Sequence, residues 1–465
     1  MLKLIAHKEF REFVRDGRMI WAGGLMVILL LTSLLLGWQQ QQAVQAERTA
    51  SQELDYDAWL NQGPRHPHNA ADQGMHVFKP QPPLSIVDPG IDSFVGSTIW
   101  LQAHRQSETK FRPAQDATGL KRFGSLSPAW ILQVLAPLLI IVLGFNAFAA
   151  EREQGTLRQL LSLGVSARRL LWGKALALGG AVALLLCPGA ILILVAVSSS
   201  VPPGGLPDTL VRTGLIALSY GLYLGLTIFV VLAVSALCKR SRTALFILLA
   251  IWIGTVLIAP RTVADLATKT YPSPSRLGFD AELSEEMDAA SNAAWTSHFD
   301  VDGAWDPSLP LSQWGRALQV DDHSGYGVLD EHFSRLWGTF EKQQWLQEVA
   351  GVLSPVVALR AFSMAMAGTD FSHHRDFSVK AESQRRLIQN VISDDLVKNA
   401  DPLGDRHFSY KSGRELWLTI PRFEYSAPPV SFALQRHALS LAILAALFAL
   451  SVLFARVAVS RRLVG

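Results

Sequence analysis

The chain has 465 residues, of which 49% are hydrophobic and 17% charged, against roughly 25% charged in soluble domains. That balance excludes an ordinary soluble enzyme, and two cysteines in the whole length, Cys187 and Cys238, exclude a disulfide-stapled scaffold. The net charge of +3 conceals a strong segregation of charge along the chain.

In chain order, residues 1–18 are expected to form an amphipathic helix. Leu2, Ile5, Ala6, Phe10, Phe13 and Val14 share one face, and Lys3, Lys8, Glu9, Arg11, Arg15 and Asp16 cover the other. Directly before an apolar run, such a helix is expected in the lipid interface. Phe10 would lie on its apolar side, and Arg11 and Arg15 near anionic headgroups.

A bilayer core takes about 20 residues of apolar helix. Six stretches free of Asp, Glu, Lys and Arg are of this kind: 19–38, 128–150, 175–199, 213–237, 243–260 and 438–455. The first is not a cleavable signal, because Gln39–Gln42 follows it rather than a small-residue cleavage site. That glutamine run should continue the first span as helix.

Two long polar segments remain, residues 39–127 and 261–435, which together can form a mainly helical domain with its own core. Within the first, the Pro-, Gly- and His-rich stretch 63–89 reads as extended loop. Within the second, Leu329, Phe333, Leu336, Trp337, Phe340, Trp345 and Val349 recur at helical spacing, with a break or restart at Pro355. Residues 376–399 form a further helical candidate. Trp417–Ile420, stopped by Pro421, reads as a short strand or extended exit towards the last span.

Orientation follows from the short loops. Residues 1–18, 151–174, 239–242 and 456–465 carry 16 Lys or Arg and five acids, whereas the rest of the chain holds 26 basic and 34 acidic residues. Short basic loops stay in the cytoplasm. Both termini are therefore expected inside, and both long polar segments outside.

The most informative stretch is AAEREQGTLRQLLSLGVSARRLLWGKAL, residues 149–176. An apolar span gives way to Glu151 and Glu153, then Gly155-Thr156, a short amphipathic helix with Leu157, Leu160 and Leu161, a turn at Gly164, Ser166, and Gly173-Lys174 before the next span. This resembles the cytoplasmic loop of ABC-2-type transporter permeases, and His7–Arg18 is similar to the interfacial elbow helix of that family. Gly164 stands where a proline is common, which loosens the turn. Residues 354–377 followed by 381–386 resemble a subfamily with a large extracytoplasmic insert.

The resemblance implies an α-helical polytopic membrane protein of the bacterial inner membrane. Residues 151–174 would be its coupling helix, docked on a separate ABC ATP-binding subunit that holds ATP and Mg. Glu151 and Glu153 suit the helix dipole and the basic residues of a partner, and Gly155 permits a tight turn or a close approach. Further partners would be a second permease copy or a paralogue, membrane lipid, and a periplasmic protein; no nucleic acid is expected. The function implied is an ATP-driven exporter subunit, with a mechanotransmitter that acts on a periplasmic partner or on metallocofactor assembly as the alternative. This chain carries no Gly-x-x-x-x-Gly-Lys-Ser/Thr loop, so no catalytic role or cofactor of its own is expected.

Ten of the 12 histidines fall in the two outer segments, His104 and His407 among them. His66 and His68 form one close pair, and His373 and His374 another between Asp370 and Asp376. Imidazole with carboxylate suits Zn, Cu or Ni. On a regular helix, however, adjacent residues point about 100° apart and cannot share one ion.

Overall fold

The computed structural model describes residues 1–103, 105–107, 109–110, 126–201, 203–303, 306, 308–309, 313–399 and 410–464; His104 and His407 lie outside them. Among the described residues six helices are long and apolar enough to cross a bilayer: Met19–Leu60, Pro128–Glu153, Ala167–Ser200, Leu206–Leu237, Ser241–Thr270 and Val430–Arg461, hereafter spans 1 to 6. In lipid the backbone must satisfy its own hydrogen bonds, and helical backbone does so. Each helix also runs past its apolar stretch, span 1 by carrying Gln39–Gln42 onward to Leu60. The bundle core includes Leu143, Leu178, Leu232 and Leu444, all with no exposed surface.

The residues expected to lie outside do not all stay there. Pro355–Ala367 forms a 13-residue helix, and its Ala358, Leu359, Phe362, Ala365 and Met366 are fully buried in the same core as the spans. Thirteen residues are too few to cross a bilayer, so this helix is wedged into one end of the bundle. Span 4 is not charge-free either, because its helix begins at Leu206 and includes Asp208 and Arg212. Arg212 is buried. Its guanidinium donates to Asp208 Oδ2 (2.7 Å), to the carbonyls of Ala365 and Met366 (3.3 Å each) and to that of Pro428 (2.8 Å). It thus satisfies the carbonyls that end the wedged helix, while Asp208 accepts the Val430 N–H that begins span 6 (2.8 Å).

Beyond that end both polar segments build one head. Met75–Phe78 pairs antiparallel with Thr98–Leu101, Met75 opposite Leu101. The inward side chains Met75, Val77, Ile99 and Leu101 pack with Phe377, Ile388, Trp417 and Ile420 of the second segment. Long helices Arg276–Phe299, Trp314–Ala350 and Phe371–Asn399 complete the head. A second core joins Trp295, Trp314, Leu318 and Leu396.

Two stretches differ from the sequence expectation. Residues 63–89 are not uniformly extended: Pro67 opens the helix Pro67–Gln73 at its first turn, where a missing N–H costs nothing and the fixed φ is favourable. Trp417 lies on a short helix, Arg414–Thr419, rather than on a strand. No strand lies beside it to pair with among the described residues, and the turn lets its indole insert beneath Trp59, ring centroids 5.6 Å apart. Trp59 Nε1 also donates to the Trp417 carbonyl (3.2 Å).

Trp417→Ala should therefore cost the head about 3–5 kcal/mol. Limited proteolysis in detergent should show the head cut at lower temperature while the span fragments remain intact. An unchanged cleavage midpoint contradicts this packing.

Candidate functional site

At the bundle end that carries the N-terminus, Leu2–Arg15 forms the first helix. Much of its apolar face is covered by protein: Phe13 is buried, and Ile5, Ala6 and Phe10 pack against the bundle core, while Val14 stays exposed. Arg11 and Arg15 remain exposed. The helix lies tight on span 3, where a Cβ added to Gly173 would meet Ile5 Cγ2 at 2.5 Å.

Glu9 falls on the same stripe as Ile5 and Phe13, four residues from each, and is buried like Phe13. Its partner is Lys174 of span 3, whose ammonium is 2.8 Å from Glu9 Oε1 and 2.9 Å from Glu151 Oε1. Lys174 is 2% exposed and Glu151 9%. Lys8 closes the group, 3.1 Å from Glu9 and 3.6 Å from Glu151. The Phe148 ring lies 5.4 Å from the Lys174 ammonium. Two cations thus face two carboxylates, the arrangement that makes burial of Lys174, Glu9 and Glu151 tolerable, while Lys8 stays exposed at the edge of the group.

The three residues Glu151, Arg152 and Glu153 each bind a different part of the bundle. Glu151 joins span 3 and the first helix through Lys174. Arg152 donates to the carbonyls of Ala236 (2.8 Å) and Cys238 (2.6 Å), where span 4 ends. Glu153 accepts from the Ser241 N–H (3.2 Å) and hydroxyl (2.8 Å), where span 5 begins. Just before them, the N–H groups of Phe148 and Ala149 donate to Ser235 Oγ of span 4 (3.0 and 3.2 Å). The two glutamates expected to face a partner are therefore engaged within the chain.

After this hub the backbone turns at Gly155, with φ +73°, a conformation that favours glycine; a Cβ there would meet nothing within 4 Å. The turn, not a close approach, explains the residue. Thr156 donates its hydroxyl to the Glu151 carbonyl (3.2 Å). In the helix Thr156–Ser162, Leu157 is buried, with Leu160 and Leu161 packed against the core. Arg158 and Gln159 are exposed, and Leu163 at the tip is 77% exposed.

The opposite end holds a second ionic group. Span 6 leaves helical geometry at His437 (φ −117°, ψ 15°). His437 Nδ1 lies 2.7 Å from Glu348 Oε1, and Nε2 lies 3.1 Å from Asp370 Oδ2. His373 Nδ1 bonds the other Asp370 oxygen, and all four groups are buried. Burial alone would push the Asp370 carboxyl up, but the hydrogen bonds from His373 and His437 hold it well below the usual carboxylate range.

The histidines singled out by sequence do not converge. His373 turns inward to Asp370, whereas His374 lines a cavity. His66 and His68 have ring centroids 6.5 Å apart, and His68 lies edge-on to Trp314. Among the described residues no group of three His, Cys, Asp or Glu is arranged to hold a metal ion.

The profile of the family described as ABC-2 family transporter protein matches residues 4–451. Among curated proteins none matches the chain.

Lys174→Met leaves two buried carboxylates facing each other and should cost about 3–5 kcal/mol. Combining it with Glu9→Gln and Glu151→Gln should restore most of that loss, read as the thermal midpoint in detergent; failure of the triple variant to recover contradicts the ionic account. At the other end, the contribution of Asp370 is present above the ordinary value of 3.8 and is lost as pH falls through its depressed native pKa. His373→Gln removes one of the two donors, so acid unfolding should begin at a higher pH.

Proposed function

The chain belongs to the ABC-2 family of transporter proteins, and from that premise we propose that it is the permease subunit of an ATP-driven exporter. It sits in the bacterial inner membrane with both termini in the cytoplasm. ATP and Mg are held by a separate ATP-binding subunit, and a second copy or a paralogue completes the membrane part.

The observation that supports this reading is the hub at Glu151–Glu153. Its charged side chains bind spans 3, 4 and 5 and the first helix, and leave the tip of the loop bare. Leu163, with Arg158, Gln159, Arg168 and Arg169 exposed around it, offers an apolar point in a basic rim. A lone exposed leucine is ordinary on a protein surface; its place at the tip of the loop that the hub anchors is what makes it the candidate contact. The ATP-binding subunit would dock there, on Arg158 and Leu163, rather than on Glu151 and Glu153. Closure of the ATPase pair would push the Thr156–Ser162 helix, and the hub would pass that displacement to the spans as a rigid body.

Arg212 and His437 favour a second reading, in which the same stroke reshapes the head for a periplasmic partner and nothing crosses the bilayer. Both tie a span directly to elements of the second segment. Vectorial movement of a substrate into inverted vesicles would set this reading aside.

Purification in mild detergent should bring down an ATPase subunit. Leu163→Glu with Arg158→Glu should weaken that association by about tenfold or more without lowering the thermal midpoint of the permease. Retention of the ATPase by this double variant contradicts the docking face.

A further inference from the structure

Where the wedged helix meets the head there is a cavity of about 630 Å³. Its walls combine apolar and polar side chains, with Phe94, Leu336, Trp337 and Phe340 among the former, and Pro260 and Val263 of span 5 close one side. Such a volume lies within the range of small-molecule sites. The wall from span 5 sets it at the edge of the bilayer.

Its polar lining is unequally paired. Glu348, Asp370 and His437 line it, but these are engaged with one another and with His373 as described above. Arg360 is different. It is the one charged residue on the Pro355–Ala367 helix, it lines the cavity, and it is exposed there. Among the described residues the only hydrogen bond of its guanidinium runs from Nε to Gln133 Oε1 (3.3 Å), which leaves the planar Nη edge open. The nearby Asp88 feels the charge of Arg360 but is not hydrogen-bonded to it among the described residues. Its carboxylate accepts from the Ser363 hydroxyl (2.6 Å), and burial pushes its pKa up.

We propose that this cavity binds a single-chain anionic amphiphile. A carboxylate or phosphate headgroup pairs with the open edge of Arg360, and the chain lies along Phe94, Leu336, Trp337 and Phe340. Guanidinium matches either headgroup with two parallel hydrogen bonds, and the low-dielectric walls strengthen the pairing. The site belongs to this chain alone and stands whether or not ATP moves its occupant.

The test uses the full chain in phosphatidylcholine nanodiscs and follows quenching of tryptophan fluorescence by 11-bromoundecanoate. Saturable quenching is expected, and Trp337→Phe should remove most of it. Arg360→Gln should weaken binding by about tenfold or more, with Arg360→Lys in between. 11-Bromoundecyl phosphate should bind similarly and an 11-bromoundecyl ammonium poorly. Nanodiscs that contain phosphatidylglycerol separate the two sources of occupant: competition assigns the site to bilayer lipid, and undiminished binding assigns it to a soluble amphiphile. Equal binding of the ammonium probe, or of the carboxylate to Arg360→Gln, overturns the proposal. If Arg360→Gln does not fold, Arg360→Lys and the comparison of probes decide it.

Discussion

An ammonium group removed from water must keep its counter-charges, and that requirement fixes one end of this molecule. Lys174 lies inside the protein between Glu9 and Glu151. Loss of one carboxylate would leave the buried ammonium with a single counter-charge and the group with excess positive charge in low dielectric. The first helix, the loop after span 2 and the start of span 3 are therefore held in one relative position. Around this point Arg152 and Glu153 collect the end of span 4 and the start of span 5.

The opposite end uses the same chemistry for a different junction. Arg212 of span 4 holds the end of the wedged helix, and His437, at the break in span 6, holds the end of one head helix and the start of another. Between the two ends spans 4 and 6 are in contact, with the rings of Phe229 and Phe448 at 6.0 Å. Packed cores switch between discrete arrangements rather than deform continuously. The proposed coupling would run between these two ionic junctions, through the packed helices that link them. The cavity beside Arg360 lies at the far end of that path.

The spans were legible because a run of some 20 apolar residues admits few structures in lipid. The loop at 149–176 was legible from its glycines and leucines, and Gly155 and Leu157 occupy the positions that their residue types require. The direction of Glu151 was not legible. A carboxylate at the start of a helix reads as a surface group, and only the fold brings Lys174 and Glu9 to it. One signal was available for Glu9, since a charge four residues from both Ile5 and Phe13 sits on the apolar stripe of its helix. The wedged helix was hidden by its length, too short for a span. His437, Asp370 and Glu348 are separated by up to 89 residues, and no local pattern connects them. Trp417 read as strand from its neighbours, although its burial under Trp59 depends on a residue more than 350 positions away.

The central claim is that the first helix and the loop move as one body because Lys174 binds them. Spin labels at the exposed positions Arg11 and Gln159, with Cys187 and Cys238 replaced, measure it directly by double electron–electron resonance. In the assembled complex the distance distribution should stay narrow and unchanged between nucleotide-free and ATP-trapped states, and should broaden in Lys174→Met. A distance that shifts with ATP in the otherwise native chain, or one indifferent to Lys174→Met, would contradict the account.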